Sequence, residues 1–253
     1  MVARRHKYSS ASSGKSSGGW GGFFLILLAA FAFRTLLFQP FTIPSGSMQP
    51  GLLEGDYILV NKFATGYGRH SAWPFPLPVG EERLFQRGAE RGEVIVFRPE
   101  GVRRDLIKRV IARPGDTVAM RDDQVIVNGE TLTAGTLDEP ISVKEPRGGR
   151  TAATVQVERV GELRYATAQV DPALSGFEEI VVPDGYLFVM GDNRDRSGDS
   201  RTGVEQGGAG LVPDENVVGE AVLVVFSVND DFVIWKPWTW WNFRGDRWFK
   251  AIR

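Results

Sequence analysis

The feature that most constrains this chain is the apolar run from Trp20 to Phe38, in which Arg34 is the only charge. Nineteen helical residues rise about 28 Å, close to the ~30 Å hydrocarbon core of a bilayer. The run predicts one N-terminal transmembrane helix over 20–38, with Trp20 at one interface and Arg34 near the other, where its long stem can snorkel. Residues 1–19 are small and polar and read as a flexible tail. Arg4, Arg5, Lys7 and Lys15 precede the run, and the first acidic residue is Glu54. Positive-inside bias therefore places the tail in the cytoplasm and the remaining ~215 residues on the other side. Two other readings compete. Ala30-Phe31-Ala32 resembles the cleavage site of a signal peptide, but the apolar run continues through Leu36-Leu37-Phe38. A buried helix of a soluble protein accounts for neither the basic flank nor the polar tail.

The rest of the chain has ordinary globular usage, 42% hydrophobic and 24% charged over 253 residues. A disordered, collagen-like or multi-span protein is excluded. A formal charge of −1 gives no bulk basicity for nucleic acid. The absence of cysteine excludes disulfides, thiolate catalysis, Cys-based zinc sites and iron–sulfur clusters. With His6 and His70 the only histidines, a His-rich metal site or a Ser-His-Asp triad has little to draw on.

After the anchor the pattern turns from helical to β. Tyr57–Val60, Val94–Phe97, Leu106–Ile111, Val125–Val127, Thr154–Val160, Tyr186–Met190 and Val217–Val228 are rich in β-branched and aromatic residues and are bounded by Gly, Pro and Asp. Asn128-Gly129 predicts a type I′ hairpin, and Pro183-Asp184-Gly185 a turn. The body is read as mostly β. A core over 39–133 and 183–228 is interrupted by an inserted β module over 134–182, which holds Pro140, Pro146 and Gly148-Gly149. Residues 229–253 carry Trp235, Trp238, Trp240, Trp241 and Trp248 with Phe232, Phe243 and Phe249, interleaved with Lys236, Arg244, Arg247, Lys250 and Arg253. That mixture suits a lipid headgroup surface. Packing of the same aromatics on the sheets is the alternative, and a nucleic-acid stacking platform a third.

Chemistry gathers in three places. Ser47 stands nine residues past Phe38, a reach of at most about 30 Å, so Ile43–Pro50 lies near the bilayer surface. Its prolines and glycine favour an extended, turning backbone that presents a hydroxyl. A serine nucleophile needs a base. With His6 cytoplasmic and His70 in a Pro/Gly-rich stretch, lysine is the leading candidate. In Asp105–Ile111, Lys108 shares one strand face with Leu106 and Val110, and Arg109 the other with Ile107 and Ile111. Periodicity does not say which face is buried. Arginine keeps its proton, so of the two only Lys108 can serve as a base, and only where burial lowers its pKa. A solvated strand lysine is the alternative. The third place, Gly191–Arg201, follows a strand and is dense in Asp and Arg. It reads either as a solvated loop or as a network that holds a site in place.

Taken in order, Pro44-Ser45-Gly46-Ser47-Met48, Gly55–Lys62, Ile107-Lys108-Arg109 with Pro114-Gly115-Asp116, Gly191–Arg201 and Val212–Gly219 resemble the type I signal peptidases. These are bacterial membrane-bound enzymes that remove signal peptides. The resemblance runs from the anchor to about residue 225 and implies a mostly β fold with an antiparallel-sheet catalytic core, an inserted second β module and a Ser–Lys dyad. It implies Ser47 as nucleophile, Lys108 as general base, and Ser45 with the Ser47 backbone N–H as oxyanion donors. Ser197 would orient the lysine amine. Asp199 and Arg201 would be a supporting ion pair, Asp192 and Arg194 would be structural as well, and Met48 would pack near the substrate groove. No cofactor or metal is implied. The partners are signal-peptide-bearing preproteins and membrane lipid. The location implied is the bacterial inner membrane, single-pass, with the catalytic domain periplasmic. The chain departs from the family in offering one spanning helix where many members have two, in Arg196 where Asn is common, in a longer Thr202–Gly210 stretch, and in the five-Trp tail. Competing functions are a non-catalytic anchored β domain that binds peptide or glycan, a Ser–Lys protease of another substrate, and an aspartic peptidase using Asp192 and Asp199.

Overall fold

A computed structural model of the chain describes residues 19–71, 84–85, 87–145, 148–170, 176–229, 231–232, 235–239 and 241–253. Residues 1–18 of the expected tail, with their four cations, and Trp240 lie outside the described residues. Among the described residues, helix α1 (Gly19–Leu36) is followed by fifteen strands and a one-turn helix α2 (Lys62–Thr65) after the second of them. The strands are β1 (Phe38–Thr42), β2 (Asp56–Asn61), β3 (Val94–Phe97), β4 (Leu106–Ala112), β5 (Thr117–Arg121), β6 (Gln124–Val127), β7 (Glu130–Thr131) and β8 (Thr133–Lys144). They continue with β9 (Arg150–Val160), β10 (Leu163–Gln169), β11 (Phe177–Val181), β12 (Tyr186–Met190), β13 (Val212–Pro213), β14 (Val217–Ser227) and β15 (Lys250–Ala251).

Helix α1 is shorter than the sequence pattern implied. It ends at Leu36, and Phe38 already pairs with Asn61 as the first residue of β1. Its 18 residues rise about 27 Å. No helix among the described residues is long and apolar enough to cross a membrane. The helix thus stops two residues short of the expected span 20–38, because strand pairing with β2 claims Phe38. The helix nevertheless leaves Trp20, Phe23, Phe24, Leu25, Ile26 and Leu28 exposed.

The named strands of the body pair antiparallel, as the resemblance implied, and one isolated bridge, Ala168 with Asn193, is parallel. The large sheet has the order β1-β2-β14-β3-β4-β12-β13, with β15 also paired to β14. A second sheet runs β11-β5-β6-β7 and a third β10-β9-β8. Asn128 and Gly129 both adopt positive φ and join β6 to β7, with Val127 opposite Glu130, as a type I′ hairpin requires. Gly185 likewise has positive φ, and Tyr186 N–H closes the turn onto Pro183 O. The β8–β10 sheet falls within the stretch read as an insertion, whereas β11, from the same stretch, pairs with β5.

Both faces of β4 are covered. Ile107 packs with Ile43, Met48, Leu52, Ile58, Val60 and Val224, while Val110 packs with Ile95, Phe97, Leu187 and Val189. Sequence alternation could not choose a buried face because there is no solvated one: every residue of β4 after Leu106 is buried. That includes Lys108 and Arg109, and it sets up the site.

Candidate active site

The platform that carries Ser47 is a short 3-10 turn, Gly46–Met48, entered from an extended Ser45. The turn points successive side chains in different directions. Ser47 faces β4, and Met48 drops into the core with no exposed surface. Its side chain supports the platform from beneath. Ser47 is 9% exposed and Lys108 3%. The Lys108 amine donates to Ser47 Oγ at 3.0 Å and to Ile107 O at 2.9 Å. Burial is the main cause that pushes Lys108 down from 10.5 to about 8; Asp199 and Asp192 oppose it and Arg104 adds to it. The site thus holds an amine that can be uncharged near neutral pH beside a hydroxyl within hydrogen-bond reach.

The other expected residues fall into place unequally. The Ser45 hydroxyl lies 3.5 Å from Ser47 Oγ on the exposed side of the turn. Ser197 Oγ is buried and has no hydrogen-bond partner, so the expected bond to the Lys108 amine is not formed. A Cβ on Gly191 would press on the Ser197 side chain and on Ser47 O, which places Ser197 against the serine platform nonetheless. Asp199 and Arg201 form the expected ion pair, with Nε–Oδ1 and Nη2–Oδ2 both at 2.9 Å. Asp199 Oδ2 also accepts from Gly191 N–H at 3.0 Å.

Asp192 and Arg194 do not pair with each other. Asp192 is held by Arg109, at 2.8 Å through Nε and 2.7 Å through Nη2, while Arg194 pairs with Glu158, donating to its Oε2 at 2.6 Å. Tyr165 joins the two pairs: its hydroxyl donates to Glu158 Oε2 at 2.8 Å, and the Arg109 guanidinium lies 3.9 Å from its ring centroid. All five of these side chains are buried, and β9 and β10 supply two of them. The third sheet is thereby bolted to the strand that carries the lysine. Since both Asp192 and Asp199 are gripped by guanidinium groups, neither is free for the proton exchange of an aspartic peptidase.

Sequence reading missed three contributors. Arg109 was noticed only as a residue that cannot lose a proton. Glu158 carried no local signal, because its partner Arg194 lies 36 residues away. Asn193 clamps the nucleophile loop: its side-chain amide donates to Gly46 O at 3.0 Å and its backbone N–H to Ser47 O at 3.1 Å. Its place inside the Asp/Arg-rich loop was the only available hint. His70 lines a separate surface cavity with Arg98 and Glu215. Among the described residues no three His, Asp or Glu side chains cluster in a way that could hold a metal ion.

A turn-borne serine in contact with a buried lysine is an arrangement suited to a hydrolase of the serine–lysine class. The family described as "Signal peptidase, peptidase S26" matches residues 19–226. A protein named signal peptidase I from Rickettsia typhi is 34% identical over 237 residues, covering 87% of this chain and 81% of its own. One of the same name from Pseudomonas fluorescens is 36% identical over 228 residues, covering 85% of this chain and 71% of its own. A crystal structure of a signal peptidase I from Enterococcus faecalis V583 is 26% identical, covering 53% of this chain and 97% of its own at a TM-score of 0.33, a likeness too low to bear on the fold. The chain belongs to the signal peptidase family, and it is a serine endopeptidase that removes signal peptides.

Proposed function

We propose that Ser47 is the nucleophile and Lys108 the general base of this peptidase. The observation that carries the assignment is the 3.0 Å contact between a buried amine and the Ser47 hydroxyl. Neutral Lys108 accepts the Ser47 proton as Oγ attacks the scissile carbonyl. The Ser45 hydroxyl and the Ser47 backbone N–H stabilise the oxyanion, each such donor contributing on the order of 10²–10³ in rate. The protonated Lys108 then delivers its proton to the departing amine, which leaves an ester on Ser47. Lys108, neutral again, takes a proton from water as that water attacks the ester, and returns it to Ser47 Oγ as the ester C–O bond breaks and the carboxyl product leaves. Acylation removes the Ser47 hydroxyl as a partner for the amine, and the unsatisfied Ser197 hydroxyl is assigned to orient it then. Asp192, Arg194, Asp199 and Arg201 support the site without moving protons.

The substrate is an exported preprotein, cut after a small residue of an A-x-A-like motif. It binds as an extended strand read through its backbone. Residues 39–133 and 183–228 build the catalytic core and 134–182 the inserted module. Helix α1 seats in the bacterial inner membrane as the single anchor, with the tail cytoplasmic and the catalytic domain periplasmic. The uncovered apolar side chains of α1 support this, and a ~27 Å helix is accommodated by local thinning and by snorkelling of Arg34. Lipid also meets the C-terminal segment, where Trp235 is 84% and Trp241 89% exposed beside exposed Lys236 and Lys250. Arg247 takes no part in that surface, because it is buried in an ion pair with Asp56.

The test is to incubate the detergent-solubilised protein with a secretory precursor and sequence the new N-terminus. One cut after a small residue is expected, absent in Ser47→Ala and Lys108→Met. Full activity in either variant overturns the dyad.

A further inference from the structure

The last carbonyls of a helix have no partner within it. At the end of α1, its last two carbonyls and that of Leu37, the next residue, are taken by a single short segment of the body. Thr35 O accepts from Lys62 Nζ at 3.1 Å, Leu36 O from the Tyr67 hydroxyl at 2.5 Å, and Leu37 O from Lys62 N–H at 3.0 Å. Lys62 is fully buried, and its ammonium meets the negative end of the helix dipole. The segment is itself held: Asn61 Oδ1 accepts from Phe63 N–H and Ala64 N–H at 3.1 and 3.3 Å, and Asn61 pairs with Phe38.

From that point to the nucleophile the chain has almost no joint. Only Leu37 separates α1 from β1, and β1 is paired with β2 along its whole length. Ile43 then donates to Asp56 O at 2.9 Å and accepts from Gly55 N–H at 3.0 Å. Pro44, Ser45 and Gly46 alone lie between Ile43 and Ser47, and Gly46 O is clamped by Asn193.

We propose that Lys62 and Tyr67 form a clasp that fixes the angle between the membrane anchor and β1. The clasp thereby sets the height of Ser47 above the bilayer, and with it which bond of a membrane-tethered precursor reaches the nucleophile. The proposal rests on the reading above of α1 as anchor and Ser47 as nucleophile. A precursor held by its own apolar stretch presents its bonds at heights that differ by about 3.3 Å per extended residue. A nucleophile at fixed height selects one of them, whereas a nucleophile on a loosened joint samples several. Lys62 and Tyr67 make no hydrogen bond to Ser47 or Lys108 and are positioning residues.

The test uses precursors whose linker between apolar stretch and scissile bond is lengthened or shortened one residue at a time. They are reconstituted in vesicles with the full-length enzyme, and the new N-termini are read by mass spectrometry. A short soluble peptide spanning the same bond is cleaved in parallel. The variants are Lys62→Met and the milder Tyr67→Phe, which deletes one oxygen and keeps the experiment open should Lys62→Met misfold. The wild type should prefer one spacing sharply. Either variant should flatten that preference by roughly three- to tenfold, the worth of one helix-terminal hydrogen bond, with kcat/KM on the soluble peptide unchanged. An unchanged spacing profile in Tyr67→Phe overturns the clasp. So does a fall in soluble-peptide cleavage that matches the fall on precursors, which would mark general damage. Should the wild type leave both peptide and precursors uncut, the underlying reading fails and the clasp falls with it.

Discussion

Lys108→Met should abolish cleavage and, at neutral pH, stabilise the fold. The wild-type amine is buried and its two hydrogen bonds go to neutral oxygens. Burial lowers it from 10.5 to about 8 in the folded protein, whereas an unfolded chain titrates near the ordinary value. Below pH 8 both states bind the proton and the folded state bears the full cost, about 3 kcal/mol by linkage. Between pH 8 and 10.5 the folded amine is neutral while the unfolded one is still protonated, so wild-type stability rises with pH. The remaining cost is about 2 kcal/mol at pH 9 and nearly gone at pH 10.5. Methionine fills similar space without charge and gives up two hydrogen bonds, ~1 kcal/mol each. The variant should therefore be about 1 kcal/mol more stable at pH 7, level with the wild type near pH 9 and less stable at pH 10.5. Denaturant midpoints of both proteins in detergent at these three pH values measure this, and groups common to both cancel in the difference. A wild-type stability that does not gain roughly 3 kcal/mol on the variant between pH 7 and 10.5 refutes the reasoning.

The same shift sets the activity profile: kcat/KM should climb about tenfold per pH unit up to about 8 and level off above it, because only the neutral amine accepts the serine proton. An acid optimum would contradict it. Asp192→Asn leaves Arg109 charged and unpaired in the interior, so a stability loss of about 3–5 kcal/mol is expected by thermal or chemical denaturation. Gly191→Ala should cut kcat with little effect on KM, because a methyl there meets Ser47 O at 2.5 Å and moves the nucleophile rather than the substrate. Asn193→Ala frees Gly46 O and should lower kcat by roughly tenfold, checked on a soluble peptide so that membrane geometry plays no part.

Local pattern alone determined a good deal of this protein. The apolar run becomes α1, the β-branched stretches become strands within a residue or two except that β9 starts four residues before Thr154, and Asn128-Gly129 makes its hairpin, because each depends on neighbours a few residues away. The resemblance of five blocks singled out Ser47 and Lys108. Pattern alone did not reveal where α1 stops, because Phe38 is claimed by a partner 23 residues on. Nor did it assign Asp192 to Arg109 and Arg194 to Glu158, since the loop offered nearer partners of the right charge and only the docking of the third sheet chose between them. Alternation left Lys108 equally readable as a solvated strand lysine. Whether it is a base depends on desolvation, and desolvation is a property of what the tertiary structure stacks on both faces of β4.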